Sequence, residues 1–108
     1  MTETNNVRLR GRVAAPAEER ILPSGDAVAS FRVIVPRAGA ALRRSKQKVD
    51  TIECSAWTTR LRRAAAKLQT GDEVAISGQL RRTFRRTGGS AASFVSVDVE
   101  HCELLATR

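Results

Sequence analysis

Apolar and polar residues alternate along most of this chain, which is typical of strands whose two faces meet different surroundings. In the first such segment, Val7, Leu9 and Val13 share one face, and arginines occupy the other. Strands are predicted over five segments, which are residues 6–14, 27–36, 49–57, 73–84 and 92–101. In the last two segments, the alternation places Leu80 and Val95 on the inward face with the other aliphatic residues.

One helix is predicted between the third and fourth strands, over residues 59–69. Apolar residues recur at helical spacing over residues 61–68, and Gly71 is suited to end the helix. This order predicts an all-β fold, a five-stranded OB-fold barrel with one α-helix between strands 3 and 4. An SH3-like barrel is the alternative, although it usually lacks that helix. All 108 residues are predicted to form one nucleic-acid-binding domain, with frayed ends at residues 1–5 and 106–108.

The chain is strongly basic, with 19 Lys and Arg against 11 Asp and Glu, a formal net charge of +8 and a pI near 11.2. A basic domain of this size usually contacts a polyanion, which is nucleic acid, an acidic protein or an anionic membrane. A membrane role fits poorly, because no apolar run approaches the ~20 residues that cross a bilayer and the predicted helix has a narrow apolar stripe. The polar start is not a signal peptide, so a cytoplasmic, nucleoid-associated location is expected.

Two segments concentrate the positive charge. Residues 37–48 hold five cations and no acid, which favours an arm that contacts phosphates over the alternative of a solvated loop. Residues 81–90, at the tip of the last predicted hairpin, hold four more cations. The predicted phosphate contacts are Arg32, Arg37, Arg43, Arg44, Lys46, Lys48, Arg81, Arg82, Arg85 and Arg86.

Four aromatic residues are available beside these cations. Proteins that hold single strands of nucleic acid combine a positive groove with aromatic rings on which bases stack. Trp57 lies on the polar face of its predicted strand, and Phe84 stands among the arginines of the hairpin. These two residues and Phe94 are the predicted stacking residues, whereas Phe31 shares its face with valines and is predicted in the core. The alternative for Trp57 is a rim residue packed on the helix.

Catalytic and metal-binding residues are not predicted. The chain has one histidine, His101, and two cysteines, Cys54 and Cys102, which are too few soft ligands for a structural zinc site. His101 and Cys102 are neighbours on a strand, so their side chains point to opposite faces and make a poor nucleophile–base pair. Each cysteine is expected to be a reduced thiol, with a disulfide as the alternative. No cofactor is expected, and the chain is not predicted to be an enzyme.

Several short stretches occur in an order and at a spacing that are specific when they are taken together. They are Asn6-Val7, Gly11-Arg12-Val13, Glu18-Glu19-Arg20, Leu22-Pro23-Ser24-Gly25, Ala27-Val28-Ala29-Ser30-Phe31, Ile52-Glu53-Cys54-Ser55-Ala56-Trp57, Leu68-Gln69-Thr70-Gly71 and Val74-Ala75-Ile76-Ser77-Gly78-Gln79-Leu80-Arg81. Over residues 6–105, the chain resembles bacterial single-stranded DNA-binding proteins. The resemblance implies an OB fold and a homotetramer, with a dimer as the alternative. It also implies coating of single-stranded DNA, with little sequence preference, during replication, recombination and repair.

The resemblance further implies base stacking on several aromatic residues. Trp57 falls on one of those positions, and Phe84 falls close to another, with a one-residue difference in length. Two further aromatic positions correspond to Gly39 and Thr51 here, which predicts weaker or more salt-sensitive binding. Family members usually carry a disordered tail with an acidic tip that recruits replication and repair proteins. No such tail follows residue 105, so a trimmed chain or a tail-less paralogue is expected.

The subunit arrangement stays open at this point. The outer face of the first strand, where subunits of the family pair, carries Arg8, Arg10 and Arg12. Like charges opposed across a two-fold axis repel each other, unless Asp98, Glu100 or Glu103 pairs with them or the assembly differs.

Two other functions fit the same pattern. One is an RNA-binding OB module. The other is a primosome-type assembly subunit with weak DNA affinity, which the small number of aromatic residues favours.

Overall fold

The computed structural model describes residues 4–107, except for the side chains of residues 85–87. Its strands are β1 (Val7–Val13), β2 (Glu18–Ile21), β3 (Ala27–Pro36), β4 (Val49–Ala56), β5 (Glu73–Thr87) and β6 (Ser90–Ala106). Its helices are α1 (Gly39–Arg44) and α2 (Thr59–Ala66). The five predicted strands and the helix that follows the third of them are confirmed. The helix ends at Ala66, three residues before the predicted end, so Gly71 does not cap it. The sequence predicts a turn and a loop where β2 and α1 form, because neither element buries a residue that would reveal its periodicity.

Five of the strands form a closed ring. Its order is β1–β5–β6–β4–β3, and a short pairing of β1 with β3 completes the circle. Two residue pairs make that closure, Arg12 with Ile34 and Val13 with Val33. The parallel pairing of β4 with β6 is equally short, whereas the remaining pairs are antiparallel and longer. This closed ring, with α2 between β4 and β5, is the predicted all-β arrangement.

The core fills the ring and is closed at one end by α2. Phe31 is buried, which confirms its predicted place in the core, and it packs with aliphatic residues from every strand of the ring. Leu61 and Ala65 of α2 and Leu68 just beyond it join the same cluster. Thr58 begins the helix, because its hydroxyl accepts a hydrogen bond from the Leu61 amide at 3.2 Å. The amphipathic helix therefore closes one end of the barrel.

Two glycines allow strands of the ring to approach each other closely. A Cβ atom on Gly11 would lie 2.2 Å from the carbonyl oxygen of Ile34, at the β1–β3 closure. A Cβ atom on Gly78 would lie 2.0 Å from the carbonyl oxygen of Asp98, beside the bulge between Ser77 and Gly78. In each case the obstacle is backbone, which cannot rotate away. The close approach of these strands therefore requires glycine, which has no side chain, at both positions.

Strands β5 and β6 continue past the ring as a two-stranded ribbon that turns at Gly88 and Gly89. The prediction that Leu80 and Val95 are inside is wrong, since they are 49% and 55% exposed. Leu80 lies opposite the buried Val97, so the alternation gives the correct face. The ring ends near the Leu80–Val97 pair. Beyond that pair, the strand face that points into the core is exposed to solvent along the ribbon.

The ends predicted to fray are residues 1–5 and 106–108. Of these, residues 1–3 and Arg108 lie outside the described range. Within the range, the Asn5 side chain donates to the Leu80 carbonyl at 2.9 Å and accepts from the Leu80 amide at 2.8 Å. Ala106 ends β6 opposite Glu73. Of the helices in residues 4–107, none is long and apolar enough to span a membrane.

Candidate nucleic-acid interface

Trp57 follows β4 directly and is held at two points. Its indole Nε1–H donates a hydrogen bond to Oδ1 of Asp98 at 3.1 Å. Its carbonyl oxygen accepts a hydrogen bond from the guanidinium of Arg62, which also lies 3.5 Å from a carboxylate oxygen of Glu19. The half-buried ring is thus fixed between the start of α2 and the outer face of β6.

Asp98 also lies next to a predicted phosphate contact. Its other carboxylate oxygen, Oδ2, is 2.9 Å from Nε of Arg81 on the neighbouring strand β5. One carboxylate therefore contacts both an aromatic ring and a guanidinium, and these come from distant parts of the chain. Asp98 is not among the residues that the sequence predicts for the site. The indication that could have pointed to it is that a half-buried indole N–H needs a hydrogen-bond acceptor.

These residues line an open groove on the outer face of the ring, called the groove below. One wall comes from β2 and β3, the floor from β4, and the other wall from the ribbon of β5 and β6. The lining residues are Glu18, Arg20, Leu22, Val28, Ser30, Glu53, Ser55, Trp57, Arg81, Thr83, Ser93, Phe94, Val95, Ser96 and Asp98. Strand β2, which the sequence does not predict, thus contributes a charged wall.

The two exposed phenylalanines lie on opposite faces of the ribbon. Phe94 pairs with Thr83, and the next pair is Phe84 with Ser93. Because side chains alternate along a strand, Phe94 faces the groove with Trp57, and Phe84 faces the other way. Phe94 is 52% exposed and Phe84 is 70% exposed. The structure therefore brings two of the three predicted stacking residues together and separates the third.

Phe84 has its own cationic neighbour on this reverse face. The guanidinium carbon of Arg82 lies 5.1 Å from the centroid of the Phe84 ring, within the range of a cation–π contact. Arg82 also donates to the hydroxyl of Ser93 at 3.2 Å. Phe84, Arg82 and the exposed Leu80 form the reverse face of the ribbon, whereas Ser93 and Val95 share that face by alternation and also border the groove.

The groove itself is not the most basic part of the surface. Three carboxylates, Glu18, Glu53 and Asp98, line it beside two guanidinium groups. Glu53 lies 3.4 Å from Arg32, so this predicted phosphate contact, like Arg81, already has an acidic neighbour. Within the described residues, Arg20 is the one lining guanidinium with no carboxylate within 4 Å. Most of the free positive charge must therefore come from outside the groove.

The predicted arm at residues 37–48 supplies such charge. Its cations other than Arg37 are exposed, and within residues 4–107 none of them has a carboxylate within 4 Å; they are Arg43, Arg44, Lys46 and Lys48. Arg37 differs, because it pairs with Asp50 at 2.8 Å. The side chains of Arg85 and Arg86, predicted phosphate contacts of the hairpin, lie outside the described residues.

The arginines on the outer face of β1 are partly neutralised. Nε of Arg10 lies 2.9 Å from a carboxylate oxygen of Glu73, and Arg12 donates to the Gly71 carbonyl at 3.2 Å. The acid involved is thus Glu73 on β5, since Asp98 pairs with Arg81. The sequence pattern missed this partner because β1 lies beside β5 rather than β6.

Both cysteines are free thiols in the structure. Burial raises the pKa of Cys54 to about 12, with smaller contributions from Cys102 and Glu53. Burial likewise raises the pKa of Cys102. Between residues 4 and 107, no group of three or more His, Cys, Asp or Glu side chains is placed to hold a metal ion.

Comparison with known proteins gives concordant results. The profile of the single-strand binding protein family matches residues 4–105. Single-stranded DNA-binding protein 3 of Streptococcus agalactiae serotype V is 30% identical over 105 residues, which cover 96% of this chain and 75% of that protein. Single-stranded DNA-binding protein 1 of Streptococcus agalactiae serotype III is 31% identical, and the match covers 64% of its length. The chain thus spans about two thirds to three quarters of these relatives.

A solved structure matches over the entire chain. It is described as Plasmodium falciparum SSB complex with ssDNA, and it superposes with a TM-score of 0.79 at 20% sequence identity. The match covers 100% of this chain and 98% of the other. At this identity the likeness concerns the fold, and it confirms the predicted OB-fold arrangement.

Proposed function

Since this chain belongs to the single-strand binding protein family, we propose that it binds single-stranded DNA with little sequence preference. It would protect that DNA during replication, recombination and repair, as a binding protein without catalysis. The observation that supports this most is the fixed indole of Trp57 in an open groove that also carries the exposed ring of Phe94. Every base has a π-face, so stacking on such rings binds a strand irrespective of its sequence.

The phosphates would be neutralised chiefly beside the groove rather than in it. Arg43, Arg44, Lys46 and Lys48 are exposed and without a carboxylate partner among the described residues, so they are the best-supported phosphate contacts. Arg32, Arg37 and Arg81 remain part of the proposal, although each has an acidic neighbour that reduces its net attraction. Arg85 and Arg86 are included on the evidence of the sequence.

Phe84 would serve a longer strand. Its ring lies on the reverse face of the ribbon beside Arg82, which is itself a proposed phosphate contact. A strand that reaches both Phe94 and Phe84 must pass around the ribbon. We therefore include Phe84 as a stacking residue for DNA that extends beyond the groove.

Titration with oligo-dT tests the proposal directly, since Trp57 is the only tryptophan and the chain has no tyrosine. Saturable quenching of its fluorescence is the expected result, and quenching should reverse at high salt. Competition by single-stranded RNA and by duplex DNA ranks the three ligands. A flat titration would contradict the proposal.

The alternative of an assembly subunit with weak DNA affinity has one observation in its favour. The carboxylates of Glu18, Glu53 and Asp98 line the groove and repel phosphates. A flat oligo-dT titration, together with co-purification of a replication protein, would support this alternative. Preference for RNA in the competition would support the RNA-binding alternative instead.

Assembly and cellular context belong to the same proposal. We expect a homotetramer, with a dimer as the alternative, located in the cytoplasm with the nucleoid and acting beside replication and repair proteins. Light scattering gives the oligomeric state, and a monomer at micromolar concentration would contradict this part.

A further inference from the structure

We infer that Asp98 is a positioning residue for base stacking, which holds the indole of Trp57 in the orientation that a base requires. This inference rests on the proposed function, because it assigns a role within the same groove. It concerns a residue that does not itself stack or neutralise phosphate. Its effect on DNA is transmitted through the Trp57 ring.

The backbone of Asp98 is fixed on both sides. It pairs with Gln79 on β5 and with Ser55 on β4. Its carbonyl oxygen lies against Gly78, where a Cβ atom would be only 2.0 Å away. Its side chain is only 23% exposed. Asp98 is therefore a rigid reference point, unlike a residue on a loop.

Both carboxylate oxygens of Asp98 are engaged, which fixes the direction of the acceptor. Oδ2 lies 2.9 Å from Nε of Arg81, and Oδ1 accepts the indole N–H of Trp57 at 3.1 Å. An indole has one donor and no acceptor. Loss of this acceptor would leave a half-buried N–H unpaired, and the ring would then turn to find water.

The charge of Asp98 works against DNA, so simple removal mixes two effects. An amide separates them, since asparagine keeps a carbonyl oxygen for the indole and removes the negative charge. Alanine removes the charge and the acceptor together. Asp98→Asn and Asp98→Ala therefore have the same charge and differ in the acceptor that they offer to the indole. They also differ beside Arg81, and the same comparison without the indole N–H isolates that second difference.

The expected result is that Asp98→Ala binds labelled oligo-dT about fivefold more weakly than Asp98→Asn, the factor that one hydrogen bond typically contributes. In a Trp57→Phe background, which lacks the indole N–H, the two Asp98 variants should bind equally. Equal binding of the two variants with Trp57 intact would overturn the inference, as would a difference that persists beside Phe at position 57. If Asp98→Ala does not fold, Asp98→Leu supplies a non-acceptor nearest in shape to asparagine.

A measurement without DNA separates this inference from the proposed function. The chain has one tryptophan, so its indole N–H gives a single tryptophan side-chain resonance in a ¹⁵N–¹H spectrum. That resonance should be slow to exchange in the wild type and in Asp98→Asn, and fast in Asp98→Ala. Fast exchange in all three overturns the positioning role even if DNA binds. Absence of wild-type binding to oligo-dT overturns the proposed function and the stacking role together.

Discussion

Arg37 and Asp50 are joined by two parallel hydrogen bonds, from Nε to Oδ2 at 2.9 Å and from Nη2 to Oδ1 at 2.8 Å. They stand at the end of β3 and the start of β4, where the arm at residues 37–48 leaves the ring. The Arg37 amide also donates to the Lys48 carbonyl at 2.8 Å. These contacts hold the two ends of the arm together, so the segment that carries the other four cations starts and ends at a fixed place on the ring.

Substitution of Arg37 by alanine should raise the pKa of Asp50 towards its ordinary value of 3.8. In the native protein, hydrogen bonds from Arg37 lower this pKa, and desolvation opposes them. The contact therefore contributes its full stabilisation above pH 3.8, the ordinary pKa. This stabilisation is lost as the pH falls through the lowered pKa of Asp50 in the folded protein. Carboxylate NMR titration of the wild type and of Arg37→Ala measures both values. An identical Asp50 titration in the two proteins would show that the contact is absent in solution.

Neutralisation of the arm should make DNA binding less sensitive to salt. Each phosphate contact on a single strand contributes about 0.7 to the log–log slope, so replacing all four exposed arm cations by alanine should reduce the slope by up to about 2.8. These cations are Arg43, Arg44, Lys46 and Lys48. Fluorescence anisotropy with labelled oligo-dT over a salt series gives the slope.

A control with the same loss of charge is available elsewhere on the surface. Its positions are exposed on β1, on α2 and just after it; they are Arg8, Arg60, Arg63 and Lys67. If the control quadruple variant reduces the slope as much as the arm variant, the arm has no special role and overall charge alone matters.

The two phenylalanines should differ in the length of DNA at which they matter. With an oligo-dT short enough to fill only the groove, Phe94→Ala should weaken binding by about 1–3 kcal/mol, the usual contribution of a stacked base, as should Trp57→Ala. Phe84→Ala should have no effect there, because its ring faces away from the groove. With longer oligo-dT, Phe84→Ala should also weaken binding. Equal effects of both phenylalanines on the short oligonucleotide would contradict the proposed division.

Gly78→Ala should destabilise the fold by about 3 kcal/mol or more, because the new Cβ atom meets backbone and cannot be accommodated by side-chain movement. Ser77→Ala, at the adjacent half-buried position on β5, is the matched control and should change stability little. Urea denaturation followed by circular dichroism compares the two. Similar midpoints for both variants would show that β5 and β6 can separate at this point without cost.

Cys54 should be unreactive in the native protein at pH 8, since burial holds its pKa at about 12 and the thiol stays protonated. In a Cys102→Ser background, which leaves Cys54 as the only thiol, reaction with a chromogenic disulfide should require urea. The unfolded thiol loses its proton above its ordinary pKa of 9.0, so the free energy of unfolding should fall as the pH rises from about 9 towards 12. Cys54→Ala should flatten this dependence. Rapid labelling of native Cys102→Ser protein, or an unchanged pH profile in Cys54→Ala, would contradict the burial of Cys54.

The core could be predicted from sequence because alternation marks it directly. Phe31, Val33 and Val97 lie inside as expected, and α2 lies where an apolar stripe and a capping threonine coincide. Leu80 and Val95 show the limit of that reasoning. Alternation assigns a residue to a face, but it does not show how far the ring extends along two long strands.

The site was less predictable, because it depends on register. Whether Phe84 or Phe94 faces the groove depends on a single step in the pairing of β5 with β6, which the hairpin turn fixes. The contact of Trp57 with Asp98 joins residues 41 positions apart and requires the parallel pairing of β4 with β6. Such contacts follow from the assembled sheet and leave no local mark in the sequence.

The shortness of the β4–β6 pairing has a consequence for biosynthesis. Only Cys54 with Val97 and Ser55 with Asp98 join these strands, so we expect this pairing to form after the hairpin of β5 and β6 is complete. Contacts between distant parts of a chain close late in folding because of their entropic cost. A nascent chain that still has β6 inside the ribosome would therefore have its tryptophan and the cations of the arm, but neither Phe94 nor Asp98. Base stacking in the groove, as proposed above, would begin only after β6 has left the ribosome.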